Sequence, residues 1–222
     1  MILKFLHKLS KKASRKNLDN YIKKSFEKEF LKNRESKVLT VGSGGDLEDL
    51  IKGNFKKVFS IDIDQKRNPN QVLDICDENF VQNINIKPSL VCCFEVLEHV
   101  KDPRKAIKNI YEILEEGDYF LASVPFSFHI HDEPNDFYRF TYFGLEMLFQ
   151  NFSEVNIKRR NGWLESIFVN FIRLEKEKNI ISKFVGKIFI LLYFILMPLI
   201  VLLQKIIPSE KLTTGYFVEA KK

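Results

Sequence analysis

From Ser36 onward the chain alternates short apolar runs with amphipathic stretches, the rhythm of strands and helices that alternate in a parallel α/β sheet. The apolar runs predict strands at 37–42, 57–62, 70–74, 88–94 and 119–124, with helices in the gaps. The clearest helix is 102–115. Ala106, Ile107, Ile110, Tyr111 and Leu114 recur there at helical spacing, Asp102 and Pro103 start it, and Gly117 stops it. A polar and aromatic loop, 127–138, leads to a helix at about 141–150 and a strand at 154–160. The terminal TTGYFVEAKK reads as a further strand, and no internal repeat or low-complexity tract is visible.

Before that last strand stands the most apolar stretch, IFILLYFILMPLIVLL at 188–203. As a helix it would run about 24 Å at ~1.5 Å per residue, short of a hydrocarbon core of about 30 Å. Extending it to 184 reaches that thickness only by burying Lys187, and Pro198 would kink or split it.

At 222 residues the chain suits one α/β domain with an appendage. The odd cysteine count, Cys76, Cys92 and Cys93 within apolar or strand-like stretches, excludes a disulfide framework and a CxxC pattern and implies a reducing compartment. Residues 1–37 hold twelve Lys or Arg against four acids, so this segment carries more than the whole net charge of +6. Its scattered apolar residues make a poor signal peptide, and it reads as a retained basic arm suited to anionic headgroups or to nucleic acid.

The segment VLTVGSGGD, 38–46, places a buried strand directly before Gly42, Gly44 and Gly45 and an acidic helix start at Asp46. Glycines there allow a tight turn and close approach of a ligand to the backbone around Ser43. The dinucleotide fingerprint GxGxxG fails, because Leu47 stands where its third glycine belongs. The next strand ends in IDID, 61–64. A carboxylate at that edge can accept from both hydroxyls of an adenosine ribose, with Asp62 the first choice, Asp64 the alternate and Ile63 beside them. In DICDENF, 74–80, Asp77 or Asp74 can accept from an adenine amino group while Ile75 or Phe80 packs on the ring, although turn chemistry explains the acids as well.

In this order, VGSGG, SIDID, CCFEVLEHVKDPRKAIKNIYEILEEGDYFLASVPF and HDEPNDFYRFT resemble class I S-adenosylmethionine-dependent methyltransferases, of the type 11-like kind associated with cell-surface glycan pathways. The likeness covers roughly 36–160 and the terminal strand. It implies a Rossmann-like fold with a seven-stranded, mostly parallel sheet and an antiparallel last strand. It also implies S-adenosyl-L-methionine as cofactor, and Phe94, Glu95 and His99 as neighbours of the methyl group. Thr40 stands where the family usually has Asp, and Asp46, Ser89 and Asp118 depart from its glycine and acid pattern. Asp46 is the candidate to hold the cofactor's cationic amino group in place of the acid missing at Thr40.

Methyl transfer asks the protein mainly for alignment. For a hydroxyl acceptor a base is also needed, and His99, His131 and Asp136 are the candidates. The loop 126–143 offers His129, Tyr138 and Arg139 among aromatic residues as a surface for a sugar or similar polar ring. His129, His131 and Asp132 mimic a metal cluster, but no third histidine or cysteine stands nearby in sequence, so no metal is expected.

If the terminal strand enters the same sheet, both ends of the apolar segment lie on one side of a bilayer, which excludes a single crossing. A re-entrant or broken interfacial helix at 184–207 follows, with Lys183, Lys187 and Lys205 at the headgroups. A buried core helix or an oligomer contact is the competing reading.

The sequence therefore predicts a basic helical arm (1–35), a methyltransferase domain (36–163 and 212–222) and a membrane-associated helical insertion (164–211). The expected activity is O-methylation of a polar acceptor, a lipid-linked glycan or other membrane-associated small molecule, on the cytoplasmic side of a membrane. RNA or protein methylation and a non-catalytic cofactor-binding scaffold are the alternatives. Nucleic acid ranks low, because FEVLEH replaces the NPPY-like turn of amino-methylating enzymes.

Overall fold

The computed structural model describes residues 2–28 and 36–222; within the first helix the side chains before Leu9 and those of Lys11, Lys12, Ser14, Arg15 and Lys16 lie outside the description. Strands β1 (Lys37–Val41), β2 (Lys57–Asp62), β3 (Gln71–Val72), β4 (Leu90–Phe94), β5 (Tyr119–Pro125), β6 (Glu154–Arg159) and β7 (Gly215–Lys221) form one sheet. Its order is β3-β2-β1-β4-β5-β7-β6. The pairs among β1 to β5 are parallel, and β7 runs antiparallel between β5 and β6. This is the seven-stranded Rossmann-like sheet with a reversed last strand that the sequence implies. The third strand is shorter than expected, because the Asp74 carboxylate accepts from Cys76 N–H and turns the chain early.

Alternation along the strands sends odd and even positions to opposite faces. Leu39, Val41, Val91, Cys93, Phe120 and Ala122 face α3 (Phe80–Asn83), α4 (Pro103–Ile113) and α5 (Tyr142–Leu148). Val38, Leu90, Cys92, Phe94 and Leu121 face α1 (Ile2–Phe26) and α2 (Asp46–Lys52). The Asp102 carboxylate caps α4 through Lys105 N–H, and the Thr141 hydroxyl caps α5 through Gly144 N–H.

The first segment is not a separate arm. Leu18, Ile22 and Phe26 bury themselves on the sheet with Phe55 and Phe217, each worth roughly 1.5–3 kcal/mol of burial. The basic side chains expected to meet headgroups in its first half, Lys4 to Lys16, lie outside the described residues, as do 29–35.

The insertion is a helical hairpin of α6 (Trp163–Arg173) and α7 (Ile180–Ile206). Gln204 lies over Gly162 at one end, and Gly186 meets the Glu175 backbone at the other, where a Cβ would come within 2.2 Å. Here the structure corrects the expected break at Pro198. The helix is continuous for 27 residues, about 40 Å at ~1.5 Å per residue. The missing N–H falls at an exposed position, and the buried stripe Gly186, Ile190, Tyr193 and Ile200 packs the helix against its neighbours on both sides of the proline.

Glu165 ties the three helices. Its carboxylate accepts from Tyr193 Oη at 2.7 Å and Asn17 Nδ2 at 3.2 Å, while its own N–H donates to Gln204 Oε1 at 3.0 Å. Tyr193→Phe removes a buried donor from that carboxylate, and should lower unfolding free energy by about 1–3 kcal/mol in urea titration without altering the far-ultraviolet spectrum.

Candidate active site

The carboxyl ends of β1, β2 and β4 converge on the glycine turn. Gly42, Gly44 and Gly45 all have positive φ, near +85°, +87° and +81°. Gly42 also needs the space, since a Cβ there would stand 2.8 Å from Val96 Cγ2. At Gly44 and Gly45 nothing among the described residues lies within 4 Å of an added Cβ, so the turn is open to a ligand.

Ser43 N–H donates to Asp62 Oδ2 at 2.8 Å, and Asp64 N–H donates to Asp62 Oδ1 at 2.9 Å. Asp62 is thus fixed beside the turn, with lone pairs left on both oxygens for a ribose diol. Ile63 is 70 % exposed at the lip. Asp64, the alternate, accepts from Lys66 N–H through Oδ1 in a turn of its own.

One acid at the turn escaped the sequence reading. Glu48, in the first turn of α2, is buried and accepts from Gly44 N–H and Ser43 Oγ. Burial opposes its ionisation, but the hydrogen bonds from Lys52 and Gly44 prevail and hold its carboxyl below the ordinary value. Thr40 is buried and directs its hydroxyl to Gly42 O at 3.5 Å. Asp46 opens α2.

Other expectations shift. Phe94 does not line the cofactor edge: even-numbered like Leu90 and Cys92, it points to the opposite face and stacks on Phe217 at 6.1 Å. Ile75 and Phe80 are spent in the main core, so neither is the adenine platform. Asp77 Oδ1 accepts from Asn79 N–H, the turn role weighed beside adenine contact.

Glu95, with φ near +57°, turns the chain sharply after β4. Its carboxylate is held by Ser123 Oγ at 2.9 Å and by both terminal nitrogens of Arg160, which is 2 % exposed at the end of β6. The carboxylate therefore shapes the edge from a position inside an ion pair, and nothing in the sequence names Arg160 as its partner.

The loop after β5 is also more internally bonded than its composition suggests. Arg139 forks onto Asp136, with both Nη–Oδ distances 2.6 Å, and also donates to the carbonyls of Phe128, His129 and Tyr138. This corrects two assignments, because Arg139 clamps the loop and is not held out to an acceptor, and Asp136 is not a free base. Burial works against the charge on Asp136, yet Arg139 and the His131 N–H keep its carboxyl well below the usual range. Tyr138 donates to Lys101 O at 2.8 Å while its ring stays partly exposed.

His129 accepts from Arg173 Nε at 3.2 Å, and burial together with that cation pushes its pKa down to about 3. It is thereby a neutral anchor to α6. Asn170, also on α6, donates to Ser127 O at 3.0 Å.

His99 and His131 do come together, with ring centroids 4.9 Å apart, and Glu98 stands between them. Glu98 is fully buried, and its backbone oxygen accepts from Phe137 and Tyr138 N–H, joining the loops after β4 and β5. Burial raises its carboxyl pKa. For His131 burial acts in the opposite sense, but Glu98 and Asp136 outweigh it and raise the value. Glu98 and His99 come from the preceding loop, so the fold gathers with His131 two residues that do not neighbour it in sequence.

A shallow depression of about 460 Å³ lined by Lys37, Lys56, Lys57 and Lys87 opens at the amino ends of the strands. Parallel α/β sheets bind at the carboxyl ends, so it is not the cofactor site.

A family model described as a methyltransferase domain matches residues 7–163. An S-adenosylmethionine-dependent methyltransferase from Archaeoglobus fulgidus is similar over 94 % of this chain and 95 % of that one, with TM-score 0.60 and 16 % identity. One from Clostridium acetobutylicum matches over 93 % and 91 %, with TM-score 0.54 and 14 % identity. Haemonchus contortus phosphoethanolamine N-methyltransferase 2, solved with S-adenosyl-L-methionine, covers 93 % of this chain and 52 % of its own, with TM-score 0.54 and 16 % identity. No curated protein matches the chain.

Asp62→Asn removes the charge opposite the diol and should weaken S-adenosylhomocysteine binding about ten-fold or more by calorimetry, the scale of a hydrogen bond to a charged group. Gly42→Ala, strained at positive φ and pressed on Val96, should lower both that affinity and the melting temperature. With the family model spanning most of the catalytic sheet and the open glycine turn set beside Asp62, the chain belongs to the methyltransferase domain family and is a class I S-adenosylmethionine-dependent methyltransferase.

Proposed function

We propose that this enzyme O-methylates a polar, ring-bearing acceptor carried on a lipid, such as a glycan intermediate, at the cytoplasmic surface of a membrane. The observation that carries the reading is that the acceptor loop hangs on the apolar hairpin. Asn170 and Arg173 of α6 hold Ser127 and His129, and α6 packs along α7.

The outer face of α7 is apolar throughout. Phe184, Ile188, Leu191, Ile195, Leu199, Leu202 and Ile206 are exposed, and at about 100° per residue they fall opposite the buried stripe. Lys183, Lys187 and Lys205 lie within about 40° of one another, roughly a quarter-turn from that face, where their heads can reach phosphates while the face sinks among acyl chains. The helix is long and apolar enough to cross a bilayer by length and composition. A crossing hairpin would, however, carry Glu165, Asn170 and Arg173 of α6 with it, so α7 lies flat. The three cysteines are free thiols, as suits a reducing compartment.

Bound S-adenosylmethionine presents a methyl group on a sulfonium. The acceptor oxygen forms the new bond to that carbon as the C–S bond breaks, sulfur keeps the electron pair and departs neutral, and the hydroxyl proton must leave. Glu98, His99 and His131 cluster at the junction of the loops after β4 and β5, which supports assigning that proton to them. The turn at Ser43 and Asp62 fixes the adenosyl end, and Asp46 is assigned the cationic amino group; Asp46→Asn should weaken cofactor binding, read by calorimetry.

Two measurements test the reading. Purified protein with radiolabelled cofactor and fractionated lipid and glycan extracts should label a lipid-linked or glycan fraction; label confined to RNA overturns it. Flotation with vesicles containing anionic lipid should carry the wild type, and the triple change Leu191→Glu, Ile195→Glu, Leu199→Glu should abolish flotation while sparing cofactor affinity. A wild type that stays with the soluble fraction refutes membrane attachment.

A further inference from the structure

We propose that Glu98, His99 and His131 form a binding site for a first-row divalent cation of the zinc class, bridging the loops after β4 and β5. The inference deepens the O-methylation reading, because it gives the same cluster its means of activating a hydroxyl.

The geometry carries it in three steps. Glu98 is fully buried, and neither carboxylate oxygen accepts a hydrogen bond among the described residues. Left so, a buried carboxylate is strongly disfavoured, and it must take up a proton, face a protonated His131, or meet a metal cation. His99 Nε2 and His131 Nε2 stand 3.8 Å and 3.7 Å from Glu98 Oε1, too far for hydrogen bonds, and the ligand atoms of all three residues lie within 4.8 Å of one another.

The other ring nitrogens are already engaged in the sense a metal requires. His99 Nδ1 lies 2.7 Å from Asn135 O. A carbonyl only accepts, so the proton resides on Nδ1 and the Nε2 lone pair is directed inward. His131 Nδ1 lies 3.2 Å from Asp136 Oδ2, off line for a full hydrogen bond but near enough for the negative charge to keep the proton there. Imidazoles oriented by a carbonyl and by a carboxylate are the outer arrangement of metal-binding histidines.

Donor type selects the ion. Two imidazoles and one carboxylate suit zinc, cobalt, nickel or iron and not magnesium, which prefers oxygen. At bond lengths of about 2.0–2.2 Å, tetrahedral ligand atoms stand about 3.3 Å apart, so the three side chains would close by roughly 0.5–1.5 Å. Three protein ligands leave a fourth position open. A hydroxyl bound there would become more acidic, so the base role given to the cluster would pass to the ion it holds, with the proton leaving to solvent.

The test uses the full chain, freed of any histidine tag and stripped with chelator. Calorimetry with zinc chloride should show one equivalent bound, cobalt chloride should give the visible absorption of a low-coordinate site, and zinc should raise the melting temperature. Glu98→Gln should weaken zinc binding more than about 100-fold, and Asp136→Asn, which removes the outer partner of His131, about 10–100-fold. Asp132→Asn, an exposed acid beside the site, should leave binding unchanged. Saturable zinc binding absent from the wild type, or equally tight in a folded Glu98→Gln protein, overturns the proposal, as does binding of magnesium alone. These readouts need no acceptor, so zinc binding without methylation of any lipid or glycan fraction refutes the substrate reading and leaves the metal site standing.

Discussion

Arg160, buried at the end of β6, grips the carboxylate of Glu95 through both terminal nitrogens, and the catalytic edge of the sheet depends on that grip. Glu95 takes a left-handed backbone conformation that a side chain seldom adopts without compensation. The compensation is the ion pair, the Ser123 hydroxyl and the hydrogen bond from Glu95 N–H to Ser123 O at 3.0 Å. The turn so held brings Val96 against Gly42 and sends Glu98 inward between the loops. The glycine turn and the loops after β4 and β5 thus share one support, contributed from the end of β6.

The polar residues after β5 show how much of an apparently reactive loop is structural. Arg139 and Asp136 satisfy one another, and the same arginine donates to three carbonyls of the loop. His129 is kept neutral by burial and by Arg173, which also lies over Phe128 at 5.2 Å. A loop stiffened in this way holds His131 in place opposite Glu98 and couples the carboxyl edge of β5 to the α6–α7 hairpin. The hairpin is itself closed by Glu165, where one carboxylate serves Asn17 of α1 and Tyr193 of α7.

Strand positions, the glycine turn and the capped helix after Asp102 were readable from contiguous residues, because side-chain period and turn chemistry act over a few positions, while the reversal of the last strand came only as what the family resemblance implies. Asp62 was readable for the same reason: strand length and the glycine turn together put it at the edge. The register of the sheet, which no short window contains, decided that Phe94 faces Phe217 and away from the cofactor. Glu95 and Arg160 are 65 residues apart, and His99 reaches Asn135 across 36. Such partners are chosen by where the fold places chain segments, so Glu98 looked like one acid among many until burial stripped it of water. The apolar stretch was visible as a helix with lysines at its ends, but its continuity through Pro198 came from packing. The buried stripe packs the helix on both sides of Pro198, while the position lacking an N–H lies on the exposed side.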